Sequence, residues 1–476
     1  MITSSRMAMV DQNAEALGVP RRQLMESSGN AIARIVREHA DPGDKVILIA
    51  GKGNNGGDVF VASRFLKEFD CTTILLARPE SISTEIARAN WNALTAAELN
   101  YEVVPDSRDL ELPECDVIVD GLVGTGISGS LREPERSAVA AINESEATVL
   151  AVDVPSGIDA DTGDADGVAV HADHIVTFHD EKPGLSSLDA PVTVADIGIP
   201  KTAELFVEKG DVLAYKRNPD SHKGDHGEVL VVGGGPYTGA PILTAYGALR
   251  AGADLVRIAC PESIAHVIEN ASPDLIVRPF EGPVLVPGRV DEIIDLAKEH
   301  DVVVIGPGLG DADTTLAAVK SFLEVYEGTV VVDADGIQAI PQAESSATII
   351  ATPHRGELRQ IGGSMDLDWS SGANDFIDFT RETCDVLLVK GRYDLISDGA
   401  SLRVNRTGNP GMTVGGTGDV LAGVTAALAA TIEPFHATAL AAYANGRAGD
   451  IVYERSGFGL MASDIPTEIP LALRGR

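Results

Sequence analysis

The chain is 476 residues long, with 44 % hydrophobic residues, 49 glycines and a formal charge of −34 from 71 acids against 37 bases. One core rarely spans that length and the apolar content excludes a disordered chain, so two folded domains are expected. Nucleic acid and anionic membrane are excluded as partners, since a field of this sign repels phosphate at long range.

A helix-like opening leads into "KVILIAGKGNNGGDVFVASRFLKEF", which reads as strand, glycine turn and helix. Similar units follow: "CTTILLA" with a helix over 84–99, "DVIVDGLVGTG" with a helix over 133–144, and "TVLAVDVPSG". Short apolar strands alternating with helices imply right-handed crossovers and a parallel sheet covered on both faces. The first half is therefore expected to be a doubly wound, Rossmann-like α/β domain.

The rhythm lapses in "VEKGDVLAYKRNPDSHKGDHG", a polar stretch rich in Gly, Pro and Asp, which places the boundary near 212 and gives domains of 1–212 and 213–476. It restarts with "EVLVVGGGPYTGAPILTAYGALRAG", "DVVVIGPGLG", "GTVVVDADG", "ATIIATPHRGEL" and "DVLLVKGRYDLIS". The chain then runs through "GGTGDVLAGVTAALAA" into a long Ala-rich helix over 434–455. The halves share a class, and no register makes one a repeat of the other.

Cys71, Cys115, Cys260 and Cys384 follow no zinc or disulfide spacing and read as thiols of a reducing compartment. No apolar run reaches membrane-spanning length, and acids interrupt the opening where a signal peptide would be apolar, so a cytoplasmic protein is expected. The bases divide into 26 Arg and 11 Lys; acid excess with scarce Lys suits a salt-rich cytoplasm, where salt screens self-repulsion.

"GKGNNG" fits GxGxxG directly after a strand and before a helix, the setting in which glycines admit a phosphate and helical amides receive it. The second strand ends in "LLARPE", with Arg78 before Glu80, which argues against ordinary NAD binding. Asn54, Asn55 and Asp58 set amides and a carboxylate where a dehydrogenase keeps inert residues. With "DGLVGTG" and "DVPSG" they make three polar clusters at strand ends that converge on one crevice. Asn55, Asp120, Asp153 and Ser156 there supply oxygen ligands for a weakly held cation, while one acid moves protons. Taken singly, an Asp after a strand is usually a helix cap.

"GKGNNGGD", "DGLVGTG", "DVPSGID" and "TFHDEKPGL" resemble the NAD(P)H-hydrate epimerase domain, also called the YjeF N-terminal domain. The second half, through "HKGDHGEVLVVGGGPYTGA", "GPGLG", "TPHRGE", "VKG" and "NPGMTVGGTGD", resembles the NAD(P)H-hydrate dehydratase domain of the ribokinase-like fold. The motifs cover nearly the whole chain in the order of the bifunctional Nnr repair enzymes. The resemblance implies repair of nicotinamide cofactors whose reduced ring has been hydrated beside the ring nitrogen. The R and S epimers of the hydrates, NADHX and NADPHX, interconvert on the first domain, and the second dehydrates the S form.

The resemblance also implies residue roles. Epimerase substrate contacts fall on Asn54, Asn55, Gly56, Gly57 and Asp58, on Gly124, Thr125, Gly126, Ile127, Ser128, Gly129 and Ser130, and on Asp153 and Lys182. Asp153 is the candidate acid/base, and K+ belongs with Asn55, Asp120 and Ser156. In the second domain Gly239, Ala240, Gly308, His354 and Asp419 face the hydrate, and Lys390, Gly391, Arg392, Tyr393, Asp394 and Gly418 the nucleotide. Arg392, Tyr393 and Asp394 replace the smaller polar residues common in the family, so backbone contacts carry over better than side-chain ones. The consumed nucleotide is ADP in bacterial and archaeal members and ATP in eukaryotic ones. Mg2+ follows from the phosphate chemistry, and a homo-oligomer from the family.

"GGTGD" opens an apolar helix, so amides and the helix dipole face whatever anion docks there. No GxxxxGK[ST] occurs, which leaves an anion hole of the ribokinase type. Asp419 stands beside it, placed to take a hydroxyl proton as that oxygen attacks a terminal phosphoryl group. Helix capping is the alternative use of Asp419 and of His354. A ribokinase-like small-molecule kinase fused to a nucleotide-binding Rossmann-like domain would use the same Asp419 and anion hole.

Overall fold

The computed structural model describes residues 1–126, 129–364 and 366–474, in two compact units, Met1–Ala203 and Glu204–Arg476. The first begins with helices α1 (Ser4–Ala16) and α2 (Arg21–His39), then alternates β1 (Lys45–Ala50), α3 (Asn54–Phe65), β2 (Asp70–Leu75), α4 (Glu85–Ala96), β3 (Tyr101–Val103), β4 (Val117–Gly121), α5 (Glu135–Glu144) and β5 (Thr148–Val152). Strands β6 (His174–Phe178) and β7 (Val192–Ala195) complete a parallel seven-stranded sheet of order β3-β2-β1-β4-β5-β6-β7. The strand order reverses between β1 and β4, so the loops leaving those two strands diverge around a crevice at their carboxyl ends. Val46–Ala50 and Val117–Gly121 are buried without alternation, as a sheet covered on both faces requires. Gly29 of α2 lets α3 lie close, since a Cβ there would stand 2.4 Å from Val61 Cβ. The helix expected over 84–99 stops at Ala96 because Glu98 turns to a left-handed φ of 54°.

The second unit opens with α6 (Thr202–Leu205), which straddles the division, and β8 (Phe206–Val207). It continues with β9 (Glu228–Val232), α7 (Gly239–Ala251), β10 (Leu255–Pro261), α8 (Ala265–Glu269), β11 (Ile276–Phe280), α9 (Val290–Ala297), β12 (Val302–Ile305), α10 (Asp313–Val325), β13 (Thr329–Val332), β14 (Thr348–Ala351) and α11 (Arg355–Gln360). Then come α12 (Ala373–Thr383), β15 (Val386–Val389), β16 (Asp394–Ser397), β17 (Leu402–Asn405), α13 (Thr417–Ala429), α14 (Pro434–Ser456) and α15 (Ile469–Ala472). The ten-stranded sheet has the order β11-β10-β9-β12-β13-β14-β15-β16-β17-β8, parallel from β11 to β15 and antiparallel at β16 and β17. Its order reverses between β9 and β12, which again opens a crevice at the carboxyl ends.

The division falls before the boundary expected near 212, and the reason is packing. Phe206 and Val207 pair with Val404 and Asn405, and buried Asp211 meets buried Arg403 at 2.9 Å. The polar composition of 207–227 conceals this anchorage. Within the unit, α7 and α13 touch backbone to backbone: a Cβ on Gly247 would stand 2.3 Å from the Val420 oxygen, and one on Gly423 1.9 Å from that of Thr244.

Candidate active sites

In the first unit the fingerprint glycines divide their work. A Cβ on Gly51 would stand 1.9 Å from the Leu122 oxygen, and one on Gly56 2.0 Å from the Gly51 oxygen, so both close α3 onto the sheet. Gly57 is filled against Met25 in the same way. Gly53, the N-cap of α3, faces open space, which leaves it and the free amides of the first turn for a ligand. Exposed Asn54 is held through its Oδ1 by Thr84, whose hydroxyl caps α4.

Asp120 is fully buried at the end of β4. Its Oδ1 accepts from Ser156 Oγ at 2.7 Å and Leu122 N at 3.2 Å, and its Oδ2 from Ser156 N at 2.8 Å. Burial pushes the carboxyl up to about 6 although these donors pull it back. Asn55 is buried beside Gly124, and its Nδ2 has no hydrogen-bond partner. Asn55, Asp120 and Ser156 thus gather at the crevice.

Asp153 follows β5 with a left-handed φ of 65°. That strain turns its carboxylate toward Lys182, whose Nζ lies 2.6 Å from Asp153 Oδ1, 2.8 Å from Thr177 Oγ1 and 3.0 Å from the Phe178 oxygen. Thr177 completes the triangle by donating to Asp153 at 3.0 Å. Lys182 is wholly buried, so its charge is tolerated only because all three N–H groups are used. Asp11 of α1 and Asp58 of α3 face the same carboxylate. Burial, with Asp153 and Asp11, holds Asp58 well above the usual carboxylate range. Burial also lifts Asp11 to about 6, aided by Asp153 and opposed by Arg21, Lys182 and His179. An acid locked to a lysine beside two acids that resist ionisation is an arrangement suited to proton transfer.

In the second unit, loops after β9, β12, β13, β14 and β15 surround the amino end of α13. Gly239 begins α7 in open space. Gly308, with φ of 70°, admits Ala240 and Tyr237, for a Cβ there would stand 3.3 Å from Ala240 Cβ and 2.8 Å from the Tyr237 oxygen. Gly416, with φ of 101°, is the N-cap of α13, and Asp419 lies in the first turn. Capping therefore falls to Gly416, and the Asp419 carboxylate is left to face the mouth. Lys390 Nζ bonds Asp333 Oδ1 at 2.8 Å, as does Thr352 Oγ1 at 2.8 Å. The same ammonium would lie 3.0 Å from a Cβ on Gly418. Burial pushes Asp419 up to about 7, with Asp333, Asp335 and Glu357 raising it further and Lys390 opposing them. An acid poised there is a competent base near neutral pH.

Two family models divide the chain. One described as YjeF-related protein N-terminus matches residues 21–184, and one described as NAD(P)H-hydrate dehydratase matches 229–471. The bifunctional NAD(P)H-hydrate repair enzyme Nnr of Methanothermobacter thermautotrophicus is 43 % identical over 98 % of this chain and 93 % of its own. That of Archaeoglobus fulgidus is 43 % identical over 99 % of this chain and 98 % of its own. The chain belongs to the bifunctional NAD(P)H-hydrate repair enzymes. Among solved structures, the ADP/ATP-dependent NAD(P)H-hydrate dehydratase of Bacillus subtilis, co-crystallised with ATP and Mg2+, covers 57 % of the chain and 98 % of its own at 24 % identity and a TM-score of 0.50. A ribokinase-like superfamily protein of Enterococcus faecalis has the same identity and TM-score and is covered over 95 % of its length. These likenesses establish a shared fold.

Within this member of the NAD(P)H-hydrate repair family, several expected positions carry duties the sequence did not reveal. His354 is a helix cap: its Nδ1 accepts from Gly356 N at 2.9 Å and Glu357 N at 3.0 Å, and its Nε2 lies 3.6 Å from Glu357 Oε1. Asp394 holds its own turn, accepting from Gly391 N at 3.0 Å and Asn405 Nδ2 at 2.9 Å, and burial pushes it up to about 6. Exposed Arg392 lies over the ring of Tyr393 at 5.5 Å. Thr125 is half-buried and Gly126, Gly129 and Ser130 are exposed, while Ile127 and Ser128 lie outside the described residues. Among the described residues no cluster of three or more His, Cys, Asp or Glu is placed to hold a metal, and no helix is long and apolar enough to cross a membrane.

Asp11, Thr177, Asp333, Asp335, Thr352 and exposed Tyr237 escaped the sequence reading. Asp333 and Asp335 stand after a strand in "VVVDADG", a pattern already read as significant elsewhere, and Glu357 lies inside "TPHRGEL". Nothing local marks Asp11, which arrives from a helix far along the chain from the loops it faces.

Proposed function

We propose that the first unit interconverts the R and S epimers of NADHX and NADPHX, and that the second consumes ADP to dehydrate the S form. The observation that carries the reading is the pairing of two proton-transfer sites, at Asp153 and Asp419, at the crevices of two units in the order of the repair family. Asp153 is the acid/base of epimerisation, oriented by Lys182 and Thr177, and exchanges a proton with the hydrate hydroxyl. Residues 54–58 and 124–130 bind the hydrate around it.

K+ belongs between Asn55, Asp120 and Ser156. The amide oxygen of buried Asn55, beside one carboxylate and one hydroxyl, would make an oxygen donor set of low charge that fits a weakly held monovalent ion. Bound there, K+ would supply positive charge near the substrate.

In the second unit Asp419 takes the hydroxyl proton while that oxygen attacks the terminal phosphoryl of ADP, the bond to the bridging oxygen breaks and AMP leaves; the charge of the transferring group is received by the amides of Gly416–Asp419. The phosphorylated hydroxyl is a better leaving group. The ring nitrogen expels it as phosphate and the adjacent ring carbon loses a proton, which restores the dihydropyridine. Gly239, Ala240, Gly308 and His354 Nε2 hold the hydrate; Lys390–Asp394 and Gly418 hold the nucleotide. Mg2+, bound with the phosphates, would neutralise their charge. ATP serves in place of ADP if the pocket tolerates another phosphate. A homo-oligomer in a reducing cytoplasm fits the family and the four free thiols.

The test gives purified protein, in KCl with Mg2+ and ADP, a mixture of R and S NADH hydrate and follows the near-ultraviolet absorbance of restored NADH. Complete recovery is expected. A stop at the S fraction would remove the epimerase role, and a stable phosphorylated product without NADH would favour a small-molecule kinase.

A further inference from the structure

We propose that Asp333 is a positioning residue for phosphoryl transfer, which, with Thr352, fixes Lys390 Nζ against the first turn of α13 so that ammonium and helix amides meet the same phosphoryl group. The inference rests on the nucleotide-dependent reading of the second unit. A lysine ends four rotatable bonds, and this one faces four carboxylates: Asp333, Glu357, Asp419 and Asp394. Asp333 holds it, at 2.8 Å, and of the four Asp333 alone is buried, 2 % exposed and bonded by buried Thr352 at 2.8 Å.

The asymmetry of the pair separates this role from a structural one. In the Arg403–Asp211 pair the side chains are 4 % and 7 % exposed, and in Lys182–Asp153 the lysine side chain is 1 % exposed, with three acceptors for its ammonium. Lys390 is 21 % exposed over a carboxylate that is 2 % exposed, so its cationic end faces the mouth. One N–H goes to Asp333, which leaves two for a ligand. Gly418 completes the arrangement: a Cβ there would stand 3.0 Å from Nζ, so a side chain at this position displaces the ammonium from the helix.

The experiment measures binding of ADP and of AMP, each with Mg2+, by titration calorimetry to the full chain and to Asp333→Asn, Thr352→Val and Gly418→Ala. The parent is expected to prefer ADP. Asp333→Asn should reduce that preference about ten- to hundredfold, the worth of one charge-assisted hydrogen bond, and the other two variants less. The hydrate-dependent kcat should fall in parallel. Its acid limb should move to lower pH in Asp333→Asn, because Asp419 loses the charge of one of the groups facing it while Asp335, Glu357 and Lys390 remain. An unchanged ADP preference in folded Thr352→Val and Gly418→Ala overturns the proposal, as does a fall in kcat with an unmoved limb. If the parent binds ADP but never restores NADH, the dehydratase reading fails while the ADP preference still tests Asp333.

Discussion

Replacing Lys182 by Met tests the construction of the first site. Methionine keeps length and apolar stem but removes the cation from a position of 0 % exposure, and with it bonds of 2.6 Å to Asp153, 2.8 Å to Thr177 and 3.0 Å to the Phe178 oxygen. Asp153 is then a largely buried carboxylate with Thr177 as its side-chain donor and Asp11 and Asp58 still facing it. Removing one partner of a buried ion pair costs about 3–5 kcal/mol, which in a unit of this size lowers its melting temperature by about 6–20 °C. Scanning calorimetry should resolve a transition for each unit, and only the first should move. The double replacement Asp153→Asn with Lys182→Met should lose less than the sum of the single ones, with a coupling of about 0.5–3 kcal/mol. If Lys182→Met leaves the first transition in place, or the two changes simply add, the charge is not held by this network and the orientation argued for Asp153 falls with it.

Asp153→Asn should abolish epimer interconversion and spare dehydration of the S form, measured by the fraction of a mixed hydrate recovered; loss of both activities would make the residue structural. For Asp419, pushed from 3.8 up to about 7, the ionised form is the one the fold disfavours. Its destabilisation is therefore absent below the unfolded value, grows between about 4 and 7, and is complete above. Asp419→Asn should melt like the parent at pH 4 and above it at pH 8, while parental kcat rises as pH climbs through 7. Gly423→Ala forces a methyl to 1.9 Å from the Thr244 oxygen and should destabilise the second unit by about 1–3 kcal/mol or more. Gly239→Ala has open space around it, so its melting temperature should hold while KM for the hydrate rises; a stability loss there would contradict the described mouth.

Much of the architecture was legible because buried parallel strands are written as unbroken apolar runs and their turns as glycines. "KVILIAGKGNNGGD" and "DVVVIGPGLG" both fold as read. Strands such as His174–Phe178 and Leu255–Pro261 were passed over, since each carries a polar or charged residue that interrupts the run. The edge strand Phe206–Val207 was hidden inside a polar stretch because two residues suffice to extend a sheet. At the sites, residues that stand directly after strands were visible, and those acting through a neighbour were not. Thr177 and Thr352 matter by bonding a carboxylate, and Asp11 by sharing its field; such pairings exist only in three dimensions. His354 shows the converse, a motif residue whose ring is half committed to capping a helix.

The contact of Gly247 with Val420 and of Gly423 with Thr244 has a bearing on turnover. One of these helices begins at Gly239 and Ala240, the other at the amides of the phosphate mouth. At these two points their spacing is set by main chain against main chain, with no side chain there to shrink, swell or change rotamer. On the proposed reading, the gap across which hydrate and nucleotide meet is thus a gauge built before either arrives. Sequence drift in the pocket can then alter what is bound and how tightly, while the distance the transferred group travels stays the same.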